Sequence, residues 1–301
     1  MRILIVGVGG VGGFIGSQLD SPDLEIVFVA RGKRLEFLKK NGLKVKSQLG
    51  ERVIENLKIY DSIPKRMKFD VVICTVKLYD FDCFIRDFKN TNQEDTIILP
   101  FQNGIYSEQK LIEEFGENKT YGAVAQISSF VDESESIIHK GGLATFFVGS
   151  MGGLQSDKLR IFCEKCKKSG LDIRLKLNIK EKIWEKFIFL SAYSGITTLT
   201  EKTIGEIFAS QKLKNLFINA MRETYNLSKF FGVEFGSDPI NYWLEKIKKM
   251  PNDMTSSMYI DYTKKKKLEL DWLSGFIVNY SEKFGNDCPT HRLICRDILV
   301  K

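Results

Sequence analysis

Residues 3–12 read Ile3-Leu4-Ile5-Val6-Gly7-Val8-Gly9-Gly10-Val11-Gly12, and Gly16 follows one helical turn later. Four aliphatic residues make a short strand of the fully buried type. The glycines match G-x-G-x-x-G and lead into a helix. In that setting Gly7 permits a tight turn, Gly9 lets backbone approach a pyrophosphate, and Gly12 allows close packing of helix on strand. The free N–H groups at the helix start then supply an anion site. An arbitrary strand-to-helix turn satisfies the glycine pattern alone; the strand before it and the helix after it carry the reading. Gly7, Val8, Gly9, Gly10, Val11 and Gly12 are therefore assigned to a dinucleotide site.

Outward from this loop, the helix runs from near Gly12 to about Leu19 and is stopped by the turn Ser21-Pro22-Asp23. Glu25 to Ala30, Val71 to Val76 and Thr96 to Leu99 are strand-like, with amphipathic stretches between them. Strands alternating with helices imply a parallel sheet covered on both faces. A strand-like, glycine-rich run from Gly141 to Gly153, an amphipathic stretch from Gln155 to Lys168 and a strand from Leu171 to Leu177 close this part. Beyond about Lys180 long amphipathic segments take over: Glu181 to Leu199, Leu213 to Phe231, Tyr242 to Met250 and Asp271 to Phe284. The expected fold is α/β: a Rossmann-type doubly wound parallel sheet over residues 1–178, followed by a mostly helical domain over residues 179–301.

Composition fits that division. The chain has 301 residues, which suggests about two domains. Apolar residues make up 43% and charged residues 28%, the balance of a globular protein rather than a disordered one. The longest apolar runs, such as Phe187-Ile188-Phe189-Leu190, fall far short of the roughly 20 residues of a membrane span. A net charge of +7 suits anionic small molecules. Six cysteines in a chain of this length are not a disulfide scaffold, and the strand begins too early for a signal peptide. A cytoplasmic location is expected.

The tip of the second strand usually decides between NAD and NADP. An acid there bonds the ribose 2′-hydroxyl and repels a 2′-phosphate. Here the sequence is Val27-Phe28-Val29-Ala30-Arg31-Gly32-Lys33-Arg34, with no carboxylate at the tip. Arg31 offers a planar fork suited to phosphate oxygens, and Lys33 and Arg34 add charge. The alternative is a merely solvated basic loop. NADPH/NADP+ is the expected cofactor.

Further blocks extend the reading. They are Asp70-Val71-Val72-Ile73-Cys74-Thr75-Val76-Lys77, Phe101-Gln102-Asn103-Gly104, Ile183-Trp184-Glu185-Lys186-Phe187, and Thr255-Ser256-Ser257-Met258 with Glu269 twelve residues beyond Ser257. With the glycine loop and Arg31-Gly32, these blocks resemble, in order and over nearly the whole chain, those of the ketopantoate reductase (2-dehydropantoate 2-reductase) family. The resemblance implies an NADPH-dependent reduction of ketopantoate to D-pantoate, on the route to pantothenate and coenzyme A. Lys186 matches the family's proton donor. Hydride delivery to a carbonyl carbon leaves charge on oxygen, so a donor must stand beside it.

By the same match, Glu269 is implied in catalysis as acceptor of a hydrogen bond from the substrate hydroxyl, and Ser257 as donor to its carboxylate. Asn103 is implied at the nicotinamide ribose and near the substrate, and Lys77 beside the cofactor. Structural roles compete with each: Ser257 as a helix cap, Asn103 as a turn former before Gly104, Glu269 as a first-turn acid. On the lysine helix, Lys186, Leu190 and Ser194 recur at i, i+4 and i+8 and share a face. In many family members the second and third positions are asparagines that hold substrate. Leucine cannot hydrogen-bond a hydroxyl, so part of that grip is missing or is supplied by Ser194 or another residue.

Other constellations carry less. Cys163-Glu164-Lys165-Cys166 has redox spacing, but no second cysteine pair or histidine cluster accompanies it, so no metal is expected and helix-borne thiols are favoured over a redox pair. Lys264 to Lys267 lacks interleaved aromatics and reads as a solvated turn rather than a nucleic-acid site. The expected partner is a small 2-oxoacid, with no nucleic acid and no membrane, and with a homodimer left open. Two alternatives stand beside the main reading: a reductase of another branched 2-oxoacid or related hydroxyacid, and a non-catalytic NADP(H)-binding regulator. An opine-type enzyme would need a catalytic histidine, and His139 and His291 lie in no matching block.

Overall fold

The computed structural model describes residues 1–19, 21–91, 95–154 and 156–300; Gln155, expected to open an amphipathic stretch, lies outside them. Two compact units are present: Met1–Gln102 with Ser107–Ile179, and Asn103–Tyr106 with Lys180–Lys301. The excursion of residues 103–106 into the second unit is not captured by a single cut in the chain. Gly104 explains it. Its φ is +87°, and a Cβ there would stand 3.2 Å from Leu273 and 3.5 Å from Phe187, both of the second unit.

In the first unit the elements follow as β1 (Arg2–Val6), α1 (Gly10–Gln18), β2 (Glu25–Val29), α2 (Gly32–Asn41), β3 (Leu43–Ser47), β4 (Arg52–Ile54) and β5 (Ile59–Tyr60). Then come β6 (Val71–Cys74), α3 (Phe81–Lys89), β7 (Ile97–Pro100), α4 (Tyr106–Phe115), β8 (Tyr121–Val131), β9 (Ile137–Ser150), α5 (Asp157–Lys168) and β10 (Asp172–Leu175). One sheet has the order β5-β2-β1-β6-β7 and is parallel throughout. Its central strands are covered on both faces, which is why Ile3, Leu4, Ile5, Val71, Val72 and Ile73 are all inaccessible. Strand order reverses at β1, and the crevice outside the carboxyl ends at such a point is where ligands bind.

A second sheet was not foreseen from sequence. It has the order β10-β9-β3-β4, with β8 running antiparallel along β9. The long β9 takes β3 in parallel at one end and β10 in parallel at the other. Helix α1 lies between the two sheets, and its glycines make this possible. A Cβ on Gly12 or Gly16 would overlap Thr75 or Phe28 on the first sheet's side; one on Gly10 or Gly13 would overlap Ser129 or Ile137 of the second sheet. Interiors packed this closely leave no room for added atoms.

The second unit is helical: α6 (Ile179–Thr200), α7 (Ile204–Ala209), α8 (Gln211–Phe230), α9 (Pro239–Ile247), α10 (Ser257–Thr263), α11 (Ser274–Lys283) and α12 (Pro289–Val300). The segment from Glu181 to Leu199, expected to be amphipathic, is buried around its circumference. Trp184, Phe187, Ile188, Ala192 and Ile196 are each at most 1% exposed. A helix with so many buried side chains is the centre of its unit. Local caps start the others: Thr203 and Glu206 form a capping box for α7, and Asp238 with Pro239 starts α9. Helix α12 is capped from afar, since the Glu223 carboxylate accepts from the N–H groups of Thr290 and His291 at 2.8 and 2.9 Å. Among the described residues no helix is long and apolar enough to cross a membrane.

Candidate functional site

The loop after β1 is held from below. Thr75 Oγ1 donates to the Gly7 carbonyl at 2.6 Å, and the Gly7 N–H donates to Val29 O at 2.9 Å. Gly7 has φ +97°, and a Cβ there would press on the Thr75–Val76 peptide. A Cβ on Gly12 would overlap Gly7 O. Around Gly9, by contrast, there is open space within 4 Å of where a Cβ would stand. No side chain caps the first turn of α1, so its amides face outward as anion donors. Tight turn, open backbone and close packing thus fall on the first, second and third glycines respectively.

Two polar atoms beside this loop are buried without hydrogen-bond partners: Arg34 Nη2 and Ser129 Oγ. Arg34 Nε bonds Val8 O at 2.9 Å, and the Ser129 backbone abuts Gly10. Spare donors around uncapped amides fit a dinucleotide diphosphate. The residues present therefore suit the cofactor that the motif implies.

The basic segment after β2 differs from expectation. Arg34 does not add to the charge at the strand tip. It turns inward, with Nη1 donating to the Glu135 backbone carbonyl at 2.6 Å and to its carboxylate at 2.9 Å. Glu135 sits at φ +61° in the turn between β8 and β9. Arg31 precedes α2 and is more than half exposed; its Nη2 donates to Asp87 Oδ2 of α3 at 2.6 Å. Lys33 is exposed. Lys77 lies past the end of β6, where a short 3₁₀ turn, Leu78–Asp80, begins.

Gln102 ties the neighbouring strand ends together. Its Nε2 donates to Cys74 O at 3.2 Å and Val76 O at 3.0 Å, and its Oε1 is buried without a partner. Burial pushes the Cys74 thiol up to about 12, so it stays protonated. The thiol of Cys163 is likewise pushed up to about 12 and that of Cys166 higher still; both lie on the inner face of α5.

In the second unit, Lys186 Nζ donates to Asn103 Oδ1 at 2.8 Å. With its carbonyl so engaged, the Asn103 amide keeps its NH2 group as a donor. Trp184, two residues before the lysine in the same helix, is 1% exposed and packs on Phe187 and Phe231 with ring centroids 5.7 and 5.1 Å apart. That anchors the helix turn from which Lys186 projects. Glu269 is 7% exposed and stands at the start of the 3₁₀ turn Leu270–Trp272. Trp272 meets Tyr106 edge-on at 6.4 Å, so the turn bearing Glu269 packs on the segment bearing Asn103.

Ser257 and Ser256 divide the roles considered for the serine motif. Ser256 is the buried cap of α10, accepting from Tyr259 N and bonded to Thr197 Oγ1 at 2.7 Å, while Ser257 is the exposed first residue of that helix. Leu190 and Ser194 follow Lys186 along the uninterrupted α6, with Ser194 2% exposed. Tyr193, also buried on that helix, stacks on Phe189 at 5.0 Å and its hydroxyl has no partner. Nothing in its sequence neighbourhood marked it. Lys267, from the cationic run, lies over the Trp272 ring at 5.6 Å. Both histidines are buried: His139 bonds Ser47 and Leu143 O, and His291 bonds Ser274 and Ala220 O.

Comparison with known proteins adds to this geometry. The family model described as ketopantoate reductase PanE/ApbA matches residues 3–153, and its C-terminal counterpart matches residues 178–300. The chain is 29% identical to the uncharacterized oxidoreductase YkpB of Bacillus subtilis, over 96% of this chain and 95% of that protein. It is 28% identical to a 2-dehydropantoate 2-reductase of Archaeoglobus fulgidus, over 97% and 95%. The crystal structure of 2-dehydropantoate 2-reductase from Geobacter metallireducens has the same fold, with a TM-score of 0.89, 24% identity and 99% of each chain covered.

Proposed function

The chain belongs to the ketopantoate reductase family, and on that premise we propose that it reduces 2-dehydropantoate to D-pantoate with NADPH, on the route to pantothenate and coenzyme A. The observation that carries this reading is the bond from Lys186 Nζ to Asn103 Oδ1 at 2.8 Å. A lysine turned inward onto an asparagine carbonyl is an oriented ammonium, not a solvated surface charge. When bound, NADPH supplies the hydride for the ketone carbon.

The protein's own groups do the rest. Lys186 polarises the ketone oxygen with one N–H and passes its proton to that oxygen as negative charge develops there. Asn103 holds the ammonium and presents its NH2 group to cofactor ribose or substrate. Glu269 accepts from the substrate hydroxyl, and Ser257 donates to the substrate carboxylate. The amides of Gly9 to Gly12 receive the diphosphate, with Arg31 and Lys77 beside the adenosine and nicotinamide halves. All six cysteines are free thiols, which supports work in the reducing cytoplasm.

A second reading, a reductase of a different branched 2-oxoacid, is favoured by one observation. Leu190, on the Lys186 face of α6, offers a methyl surface where an amide would grip a hydroxyl. Steady-state NADPH oxidation with ketopantoate, beside NADH and a panel of branched 2-oxoacids, decides between them. Saturable turnover with ketopantoate supports the first. Turnover only with a more apolar oxoacid replaces it with the second, and nucleotide binding without any turnover leaves a regulator.

A further inference from the structure

Arg31 does not stand alone at the tip of β2. Its Nη2 donates to Asp87 Oδ2 at 2.6 Å, and the two side chains are 58% and 46% exposed. Asp87 belongs to α3, 56 residues away, so no acid is visible near the strand tip in the sequence. Meanwhile Arg34 turns inward, its Nε and Nη1 on Val8 O and Glu135 and its Nη2 buried beside the glycine loop. Of the three cations in residues 31–34, only Lys33 and the unengaged part of the Arg31 fork remain toward solvent.

We infer that Asp87 is a specificity-determining residue for the cofactor, one that lowers the site's preference for a 2′-phosphate over a 2′-hydroxyl. The inference rests on the dinucleotide reading of the glycine loop and concerns which nucleotide that loop takes. A carboxylate beside the adenosine ribose accepts from a 2′-hydroxyl and repels a 2′-phosphate. It normally comes from the end of the second strand. Here it comes from α3 and is carried to the ribose region by the arginine that would otherwise bind phosphate.

A 2′-phosphate brings nearly two negative charges, and it can pair fully with Arg31 only by displacing Asp87 or lying against it. The 2′-hydroxyl of NADH meets neither obstacle. The chain therefore accepts both nucleotides, with a narrower margin for NADPH than Arg31 alone would produce. Because the pair is half exposed, its effect is screened by salt within a Debye length of about 10 Å at 0.1 M.

Equilibrium binding of NADPH and of NADH, followed by nicotinamide fluorescence, tests this on the wild-type protein, D87N, D87A and R31Q. D87N and D87A should tighten NADPH by roughly 3–10-fold without tightening NADH, and the gain should shrink as salt is added. In R31Q, adding D87N should recover much less, since the phosphate then has no fork to gain. An unchanged NADPH-to-NADH ratio in both Asp87 variants, with a wild-type protein that binds NADPH, overturns the inference and leaves the cofactor site standing. A wild-type protein that binds neither nucleotide overturns the site itself, and the inference with it. Matching thermal unfolding of the variants shows that the comparison is between folded proteins.

Discussion

Lys186 and Asn103 lie 83 residues apart in the chain, yet the lysine Nζ donates to the asparagine Oδ1 at 2.8 Å. Both sides of this bond are fixed from elsewhere. Helix α6 is buried around Trp184 and Phe187, and Gly104 turns the Asn-Gly segment at φ +87° where a Cβ would press on Leu273 and the Phe187 ring. Phe187, the residue after Lys186 on α6, therefore stands beside the turn that carries the acceptor. The ammonium is oriented before any substrate arrives, which is the condition for a proton donor to act without reorganisation.

Lys186→Ala removes the proposed donor while leaving the glycine loop untouched. Turnover should fall about 10²–10⁴-fold, the range for general acid catalysis, with little change in NADPH affinity. Steady-state kinetics paired with nucleotide titration measure both quantities. An unchanged turnover number would take Lys186 out of the mechanism.

Gly9 and Gly12 should separate binding from folding. At Gly9 the backbone has φ −87° and open space around the missing Cβ, so Gly9→Ala should fold with nearly wild-type stability. Its methyl would intrude where the proposed site takes the diphosphate, and NADPH affinity should fall by about 10-fold or more. Gly12→Ala would force a methyl against Gly7 O and Thr75 Oγ1, at an overpacking cost of about 1–3 kcal/mol. Thermal unfolding beside nucleotide titration checks the contrast; equal destabilisation in the two variants would contradict it.

Leu190→Asn tests the face that Lys186 shares with Leu190 and Ser194. The site is only partly buried, so an amide is tolerated there. If substrate lies along this face, kcat/KM for ketopantoate should rise by about 10-fold, the worth of one well-placed hydrogen bond to a polar substrate group. The same variant should lose activity toward more apolar oxoacids. No change with any oxoacid would place the substrate elsewhere.

His291 makes stability depend on pH. It is wholly buried, and burial lowers its pKa from 6.5 to about 4. The folded state therefore keeps the imidazole neutral where the unfolded chain protonates it. Between pH 6.5 and 4 the unfolded state binds more protons, so stability is complete above 6.5 and is lost as pH falls toward 4. That difference amounts to about 3 kcal/mol. Burial of Glu223 raises its carboxyl and acts in the opposite sense, so the informative quantity is the difference between wild type and His291→Gln. Urea unfolding at neutral pH and near pH 4.5 should show the variant losing less stability than wild type; equal losses would remove His291 as the source.

Much of the first unit was legible in residues 3–12 because its causes are local. Aliphatic periodicity makes β1, glycine geometry makes the turn, and the order of strand, loop and helix leaves few alternatives. The same holds for the caps at Thr203 and Asp238, whose partners lie within four residues. The family resemblance reached further, naming Lys186, Asn103 and Glu269 without saying how they are held. What only the tertiary structure decided are the pairings made across the fold. These are the second sheet built on β9, the capping of α12 by Glu223, the withdrawal of Arg34 to Glu135, and Asp87 laid against Arg31. Each depends on which surfaces meet after the chain has folded. Local sequence records an arginine's charge, whereas the acid that answers it is chosen by packing, from 56 or 101 residues away.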